Sequence, residues 1–371
     1  GAAPRRAGSG AAITAAEDAR AVRAILSRLR SARLPLDCTL SSALMSAALR
    51  CAHPPLALAA FEQLVLGGVS PDCAVYTTLI RVYAACGQRS EALAVLHRMR
   101  ADQVTPSVLT YNALMAVCAR AGDRRAMLEH FGFIRTAGLR PTVATWNIIL
   151  DYCANERGVE IEQVFERMRS EGVAPDAISY ATLIKAAVAK GDLSRGEALV
   201  ETMIDASVEP DVVVLNTMLA AYATLLRRDS AFEALRRFEA RGITGDMLSY
   251  SLLLRNCVRG GAPEAATRAV ELMRHSGLRP TTRIYSMLLS AYAAAGWLRE
   301  SLELLQLMQA EKTRPNKYTF SALMEACITS GQPETARPLF EQMRDEMAIP
   351  ADTVTYTLLV RALVAQAPRL A

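Results

Sequence analysis

Long apolar runs are missing from these 371 residues. Apolar residues make up 51% and mean hydropathy is +0.15, yet no uninterrupted run approaches a span's length. A membrane-spanning helix needs roughly 20 such residues, so no membrane span is expected. Histidine is scarce: His53, His97, His130 and His275 are scattered, without an H-x-E pattern or partner cysteines. That excludes the zinc site of a nucleobase deaminase. None of the eight cysteines forms a C-x-x-C pair. Glycine-rich phosphate loops, a G-x-S-x-G elbow and a terminal acidic cluster are all missing. So is the alternating pattern of a β-strand. No enzyme activity, cofactor, metal or small-molecule substrate is therefore expected. Charge is nearly balanced, 42 Lys and Arg against 37 Asp and Glu, net +5 with pI near 8.8. This permits nucleic acid as a partner without requiring it.

What is present is a beat. Pro71, Pro106, Pro141, Pro175, Pro210, Pro280, Pro315 and Pro350 are separated by 35, 35, 34, 35, 70, 35 and 35 residues. Prolines in phase over most of a chain mark one small unit copied many times. A stack of such units grows along one axis, so the length does not demand separate globular domains. With position 1 set after the Pro-Asp step, nine full repeats cover 38–352, from 38–72 through to 317–352. Residues 15–37 read as part of an earlier repeat, and 353–371 begin a tenth. Those 19 terminal residues are too few for a nuclease domain. Residues 1–14 carry Arg5 and Arg6 and lack acids up to Ala12, which fits either a targeting remnant or a disordered tail.

Each repeat opens with a helical period, as in Tyr111, Leu114, Met115 and Cys118. Position 4 is aromatic at Tyr76, Tyr111, Trp146, Tyr180, Tyr250, Tyr285, Phe320 and Tyr356. Position 15 is Gly87, Gly122, Gly191, Gly261, Gly296 or Gly331, suited to a left-handed helix end. A second amphipathic segment follows, with Met99, Met168, Met203, Met273, Met308 and Met343 late in it. Proline then stops the helix. The expected fold is all-α: a right-handed α-solenoid of stacked helix-turn-helix repeats of about 35 residues. Met and aromatic stripes belong to its core. Cys118, Cys153, Cys257 and Cys327 alternate with Tyr at one packing site, so the cysteines read as reduced structural thiols, with disulfides or zinc as the alternatives.

Position 8 is large, at Ile80, Met115, Leu150, Ile184, Leu219, Leu254, Leu289 and Met324, where tetratricopeptide repeats need a small residue. Together with Val108–Met115, Gly138–Pro141, Thr145–Leu150 and Gly172–Asp176, this closely resembles the pentatricopeptide repeat, P-class and repeats only, over about residues 15–371. The resemblance implies binding of single-stranded RNA in mitochondria or plastids, mitochondria favoured. It implies one base per repeat, held by position 5 and the last residue of the same repeat, with position 2 packing on the base face. Asn147 with Asp176 and Asn216 with Asp246 match uracil pairs, and Ser286 with Asn316 an adenine pair. Ser42 with Asp72 leans to guanine and Asn112 with Thr142 to a pyrimidine. Thr77 with Ser107, Ala181 with Asp211, and Ser251 with Thr281 fit no strong pair. Ser321 pairs irregularly with Asp352, because that repeat carries an extra residue before Asp352.

The same residue types also cap helices, so capping competes with base contact at each site. Position-5 polarity and basic residues of the first helices (Arg50, Arg81, Arg120, Lys185, Lys190, Arg255 and Arg259 against Asp151, Glu156 and Glu325) favour a phosphate-attracting groove. The reading is an organellar RNA-binding adaptor in RNA stability, processing or translation. A structural RNA-binding subunit of an organellar ribosome or other ribonucleoprotein is the alternative, with a purely protein-binding solenoid behind it.

Overall fold

The computed structural model describes residues 19–29, 36–51, 53–156 and 161–366; the expected tail or targeting remnant over 1–14 lies outside them. Among the described residues there is helix and no strand.

First helices start at position 1 of each repeat: Cys73–Ala85, Val108–Arg120, Val143–Asn155, Ala177–Ala189, Val212–Thr224, Met247–Arg259, Thr282–Ala295, Lys317–Thr329 and Thr353–Gln366. The cause is local. Except at Thr281, the side chain of the last residue of the preceding repeat accepts the otherwise orphaned amide three residues on. Asp72 takes Val75 N at 2.8 Å, Asp211 takes Val214 N at 2.9 Å, and Asp246 takes Ser249 N at 2.8 Å. Position 15 ends the helix with positive φ, from 55° at Leu226 to 85° at Gly191. The turn then admits the second helix, as in Arg89–Ala101, Arg124–Thr136, Leu193–Asp205, Pro263–His275 and Leu298–Ala310.

Two compact halves divide at Thr182 and Leu183, inside the helix Ala177–Ala189. In each half a first helix packs on the second helix of its own repeat and on the first helices of its neighbours. The expected stripes form this core. Tyr76, Tyr285, Phe320, Ile80, Leu150 and Leu289 are fully buried, as are Met99, Met168, Met203, Met308 and Met343. Burying such side chains contributes about 1.5–3 kcal/mol each, which a lone hairpin could not secure. Buried position-4 tyrosines keep a polar handle: Tyr76 OH donates to Asp102, and Tyr250 OH reaches Glu239 at 3.0 Å and Ser276 at 2.6 Å. Trp146 has no such partner for Nε1. The fold is an all-α, right-handed α-solenoid of stacked helix-turn-helix repeats.

Three repeats are irregular; the short one, 143–176, includes residues 157–160 outside the described ones, and the other two can be followed in the structure. In 317–352 the extra residue does not sit before Asp352, as the spacing suggested; it is absorbed upstream in a π-helical turn, Gln342–Glu346. Ile349 N there bonds Met343 O, and Ala348 takes the positive-φ place with the usual four steps to Asp352. Where the proline is skipped, Gly245 lies against Leu235, Ser249 and Tyr250, each 3.2 Å from where a Cβ would stand, so a side chain there would need these neighbours to give by a few tenths of an ångström. All eight cysteines are free, and burial pushes the thiols of Cys118, Cys153 and Cys327 up, and that of Cys257 to about 11. Cys118, Cys153, Cys257 and Cys327 are buried, whereas Cys38, Cys51, Cys73 and Cys86 are half-buried.

Candidate functional site

Position 5 lies one turn inside each first helix, and the last residue of the repeat is the N-cap of the next first helix. Stacking brings the two side by side although they are about 30 residues apart in sequence. The pairs expected from the sequence are thereby sorted into bonded and unbonded ones.

Two cells are complete and alike. In the first half, Asn147 Nδ2 donates to Asp176 Oδ1 at 3.0 Å, while Ser179 Oγ donates to Asn147 Oδ1 at 2.6 Å. Asp176 Oδ1 also accepts Ser179 N at 2.9 Å. In the second half, Asn216 Nδ2 donates to Asp246 Oδ1 at 3.2 Å and Ser249 Oγ donates to Asn216 Oδ1 at 2.6 Å. Capping and pairing are thus carried by one carboxylate oxygen. Burial alone would raise the two carboxyls, but the bonds from Asn147 and Ser179, and from Ser249 and Asn216, hold both below the ordinary carboxylate value. They are ionised acceptors at neutral pH.

Other cells are partial. Thr77 Oγ1 meets Thr110 Oγ1 at 2.7 Å, and Thr110 closes a capping box with Ser107. Asn112 Oδ1 accepts from Thr145 Oγ1 at 2.8 Å, but Thr142 offers no carboxylate, and the buried Nδ2 of Asn112 has no partner. Ser286 Oγ lies 3.2 Å from Thr319 Oγ1 and 3.5 Å from Asn316 Oδ1. Three expected pairs are not joined. Ser251 Oγ turns to Met247 O at 2.7 Å, and Thr281 caps with its backbone only. Ser42 is half-buried and unbonded to Asp72, which caps Val75. Ser321 turns to Lys317 O at 2.9 Å, while Asp352 is held by Lys317 Nζ at 3.1 Å and caps Thr355. Asp211 caps Val214 within the second half.

The residue the sequence reading missed is position 3. Thr110, Thr145, Ser179, Ser249, Thr319 and Thr355 are fully buried, and all but Thr355 bond the position-5 side chain of the preceding repeat. Its signal was a Ser or Thr recurring in phase, replaced by Val75, Val214 and Ile284.

Around the cells, Leu109 (66%), Ile178 (62%), Val213 (56%), Leu248 (53%) and Tyr318 (65%) leave position 2 exposed, as a base-packing surface would require. Arg81, Lys185 and Arg255 at position 9 are exposed, as are Arg50 and Lys190. Arg120 and Arg259 at position 13 are exposed too, but each also donates to the end of the preceding first helix, at Ala84 O and, at 3.3 Å, at Ala223 O. They neutralise helix C-termini as well as lining the surface. Acidic Glu325 is met by Arg361 at 4.0 Å. No group of metal-ligating side chains occurs among the described residues.

Helical hairpins of about 35 residues, stacked repeat on repeat, define a helical-repeat protein. Two family profiles match: the "Pentacotripeptide-repeat region of PRORP" over 111–265 and 229–361, and the "Pentatricopeptide repeat domain" over 60–120. The chain belongs to the pentatricopeptide repeat family. It is 28% identical over 131 residues to a chloroplastic pentatricopeptide repeat-containing protein of Arabidopsis thaliana, covering 34% of this chain and 17% of that one. A mitochondrial relative from the same plant is 29% identical over 116 residues, 31% of this chain and 23% of its own length. Among solved structures, the maize pentatricopeptide repeat protein PPR10 superposes with a TM-score of 0.63 at 24% identity, covering 96% of this chain and 56% of that one. PPR10 in complex with an 18-nt psaJ RNA element gives 0.60 at 20% identity, over 88% and 48%. The chain thus spans about half of the maize protein and less than a quarter of the two plant relatives.

Proposed function

We propose that this chain binds single-stranded RNA in an organelle, as a non-catalytic adaptor in RNA stability, processing or translation. The observation that carries the reading is the pair of matching cells, Asn147 with Asp176 and Asn216 with Asp246. In each, an amide is held between two repeats and keeps one Nδ2 hydrogen and one Oδ1 lone pair for a further partner. A base splayed from a single strand presents that kind of donor and acceptor edge. Exposed apolar side chains at position 2 support the base faces, and exposed Arg81, Lys185 and Arg255 suit the phosphates. Family membership, a relative solved with RNA, and relatives named chloroplastic and mitochondrial point the same way.

The test is selection of bound sequences from a randomised RNA pool by the purified chain, followed by Asn216→Ala. A motif with two uracil-preferring columns is expected, one of which Asn216→Ala flattens. Thermal stability should fall by only about 1 kcal/mol, since the buried Ser249 hydroxyl loses its nearer acceptor and keeps Asp246 Oδ1 at 3.0 Å. Recovery of no RNA overturns the reading. Sedimentation of the native protein with ribosomal subunits would instead favour a structural ribonucleoprotein subunit.

A further inference from the structure

The buried position-3 hydroxyl does more than fill space. Val75, Val214 and Ile284 occupy the same site and are equally buried, so packing does not need the hydroxyl. Capping does not need it either, since Asp72 and Asp211 cap helices whose position 3 is valine. What Ser179 and Ser249 add is a bond into the cell of the preceding repeat.

The orientation of the amide in that cell follows from the heavy atoms around it. Asp246 N is a donor only, so Ser249 Oγ accepts from it at 3.1 Å. Asp246 Oδ1 is an acceptor, so the atom of Asn216 facing it at 3.2 Å is Nδ2. Asn216 Oδ1 then faces Ser249 Oγ at 2.6 Å, and of the two acceptors within reach of the hydroxyl hydrogen it is the nearer, Asp246 Oδ1 lying at 3.0 Å. A flipped amide would set its oxygen against the carboxylate and force the hydroxyl hydrogen from its 2.6 Å acceptor onto the more distant Asp246 Oδ1. The cell of Asp176, Ser179 and Asn147 repeats this order, with Asp176 N donating to Ser179 Oγ at 3.3 Å.

Uracil and cytosine differ by exchange of donor and acceptor along the pairing edge: O4 and N3–H in one, N4–H and N3 in the other. A freely flipping amide serves both, whereas a locked amide serves one. We propose that Ser179 and Ser249 are positioning residues for pyrimidine discrimination, locking the amides of Asn147 and Asn216 so that each accepts one pyrimidine and rejects the other. This rests on the RNA-binding reading above. The hydroxyl never touches the base; it acts through the asparagine. Asn112 has the hydroxyl of Thr145 but no carboxylate partner, so its lock is half made.

The full chain is compared with Ser249→Ala, Ser249→Val and Ser249→Thr by selection from a randomised RNA pool. In the Ala and Val variants, the uracil-over-cytosine preference opposite Asn216 falls roughly fivefold, the weight of about one hydrogen bond. The column opposite Asn147 keeps its preference in the same molecules. Ser249→Thr retains discrimination in both columns, because threonine supplies the hydroxyl as Thr145 does. Valine is the native residue at this site in two repeats, so Ser249→Val folds even where alanine leaves a void. If the wild type discriminates and the Ala and Val variants discriminate equally well, the lock is overturned while the RNA reading stands. Equal weakening of both columns in both variants overturns it too. A wild type that selects no base anywhere overturns the RNA reading itself.

Discussion

His130 shows how one side chain ties stability to pH. It is 7% exposed on the helix Arg124–Thr136, beside the rings of Tyr111 and Phe133, and its Nδ1 has no partner. Burial, with Arg100 and Arg89 nearby, lowers its pKa below the ordinary 6.5, against the opposite pull of Glu129 and Asp123. The folded protein therefore keeps the ring neutral at pH values where the unfolded chain has already taken up a proton. Its contribution is intact above pH 6.5 and is lost as pH falls from there towards the lower folded value. Thermal melts at pH 7 and pH 5 should show a drop in the wild type that is smaller in His130→Phe. Equal drops would place the acid sensitivity elsewhere. Asp176 and Asp246 act lower on the scale: their bonds persist above the ordinary 3.8 and fail only as pH falls below it.

At the scale of the element, the turn between the two helices of a repeat needs a residue in the left-handed region. Glycine fills it in six repeats, but Leu226 fills it after Val212–Thr224, with φ of 55° and 48% exposure. For an L-residue with a Cβ that conformation costs about 1–2 kcal/mol. Glycine removes the strain but gains freedom in the unfolded chain. Leu226→Gly should therefore raise stability by a net of about 1 kcal/mol, read as a higher urea midpoint with unchanged slope. A lower midpoint would mean that the leucine's partial packing outweighs its strain. The π turn at Gln342–Glu346 shows the other way an element handles irregularity, widening the helix so that Ala348 and Asp352 keep their places.

For the whole molecule, function turns on where a net charge of +5 is exposed. Second-helix charges are largely consumed among themselves, by pairs within a helix such as Arg299 with Glu303 and between repeats such as Arg274 with Glu311 and Arg89 with Asp123. Position 9 differs: Arg81, Lys185 and Arg255 are exposed on first helices, with no ion pair of their own among the described residues. If each meets a phosphate, replacing all three by alanine should lower the slope of log affinity against log salt by about 2, at roughly 0.7 per contact for a single strand. Base preference in the selected motif should survive. An unchanged slope would take phosphate contact away from these three residues.

The sequence by itself determined the phase of the repeat, the start of each first helix, the buried stripes and which residues compete for position 5. These follow from short-range causes: a capping oxygen three residues from its amide, a proline that ends a helix, a 3.6-residue apolar period. Tertiary structure alone decided which expected pairs bond. Asn147 and Asn216 are fastened to their aspartates, while Ser42, Ser251 and Ser321 are not, although all five stand at position 5. It also placed Lys317 on Asp352 and turned Arg120 and Arg259 partly into helix caps. The physical reason is that these bonds join residues about 30 apart. They depend on how two stacked repeats are offset and on whether a hydroxyl or a methyl group lies between them.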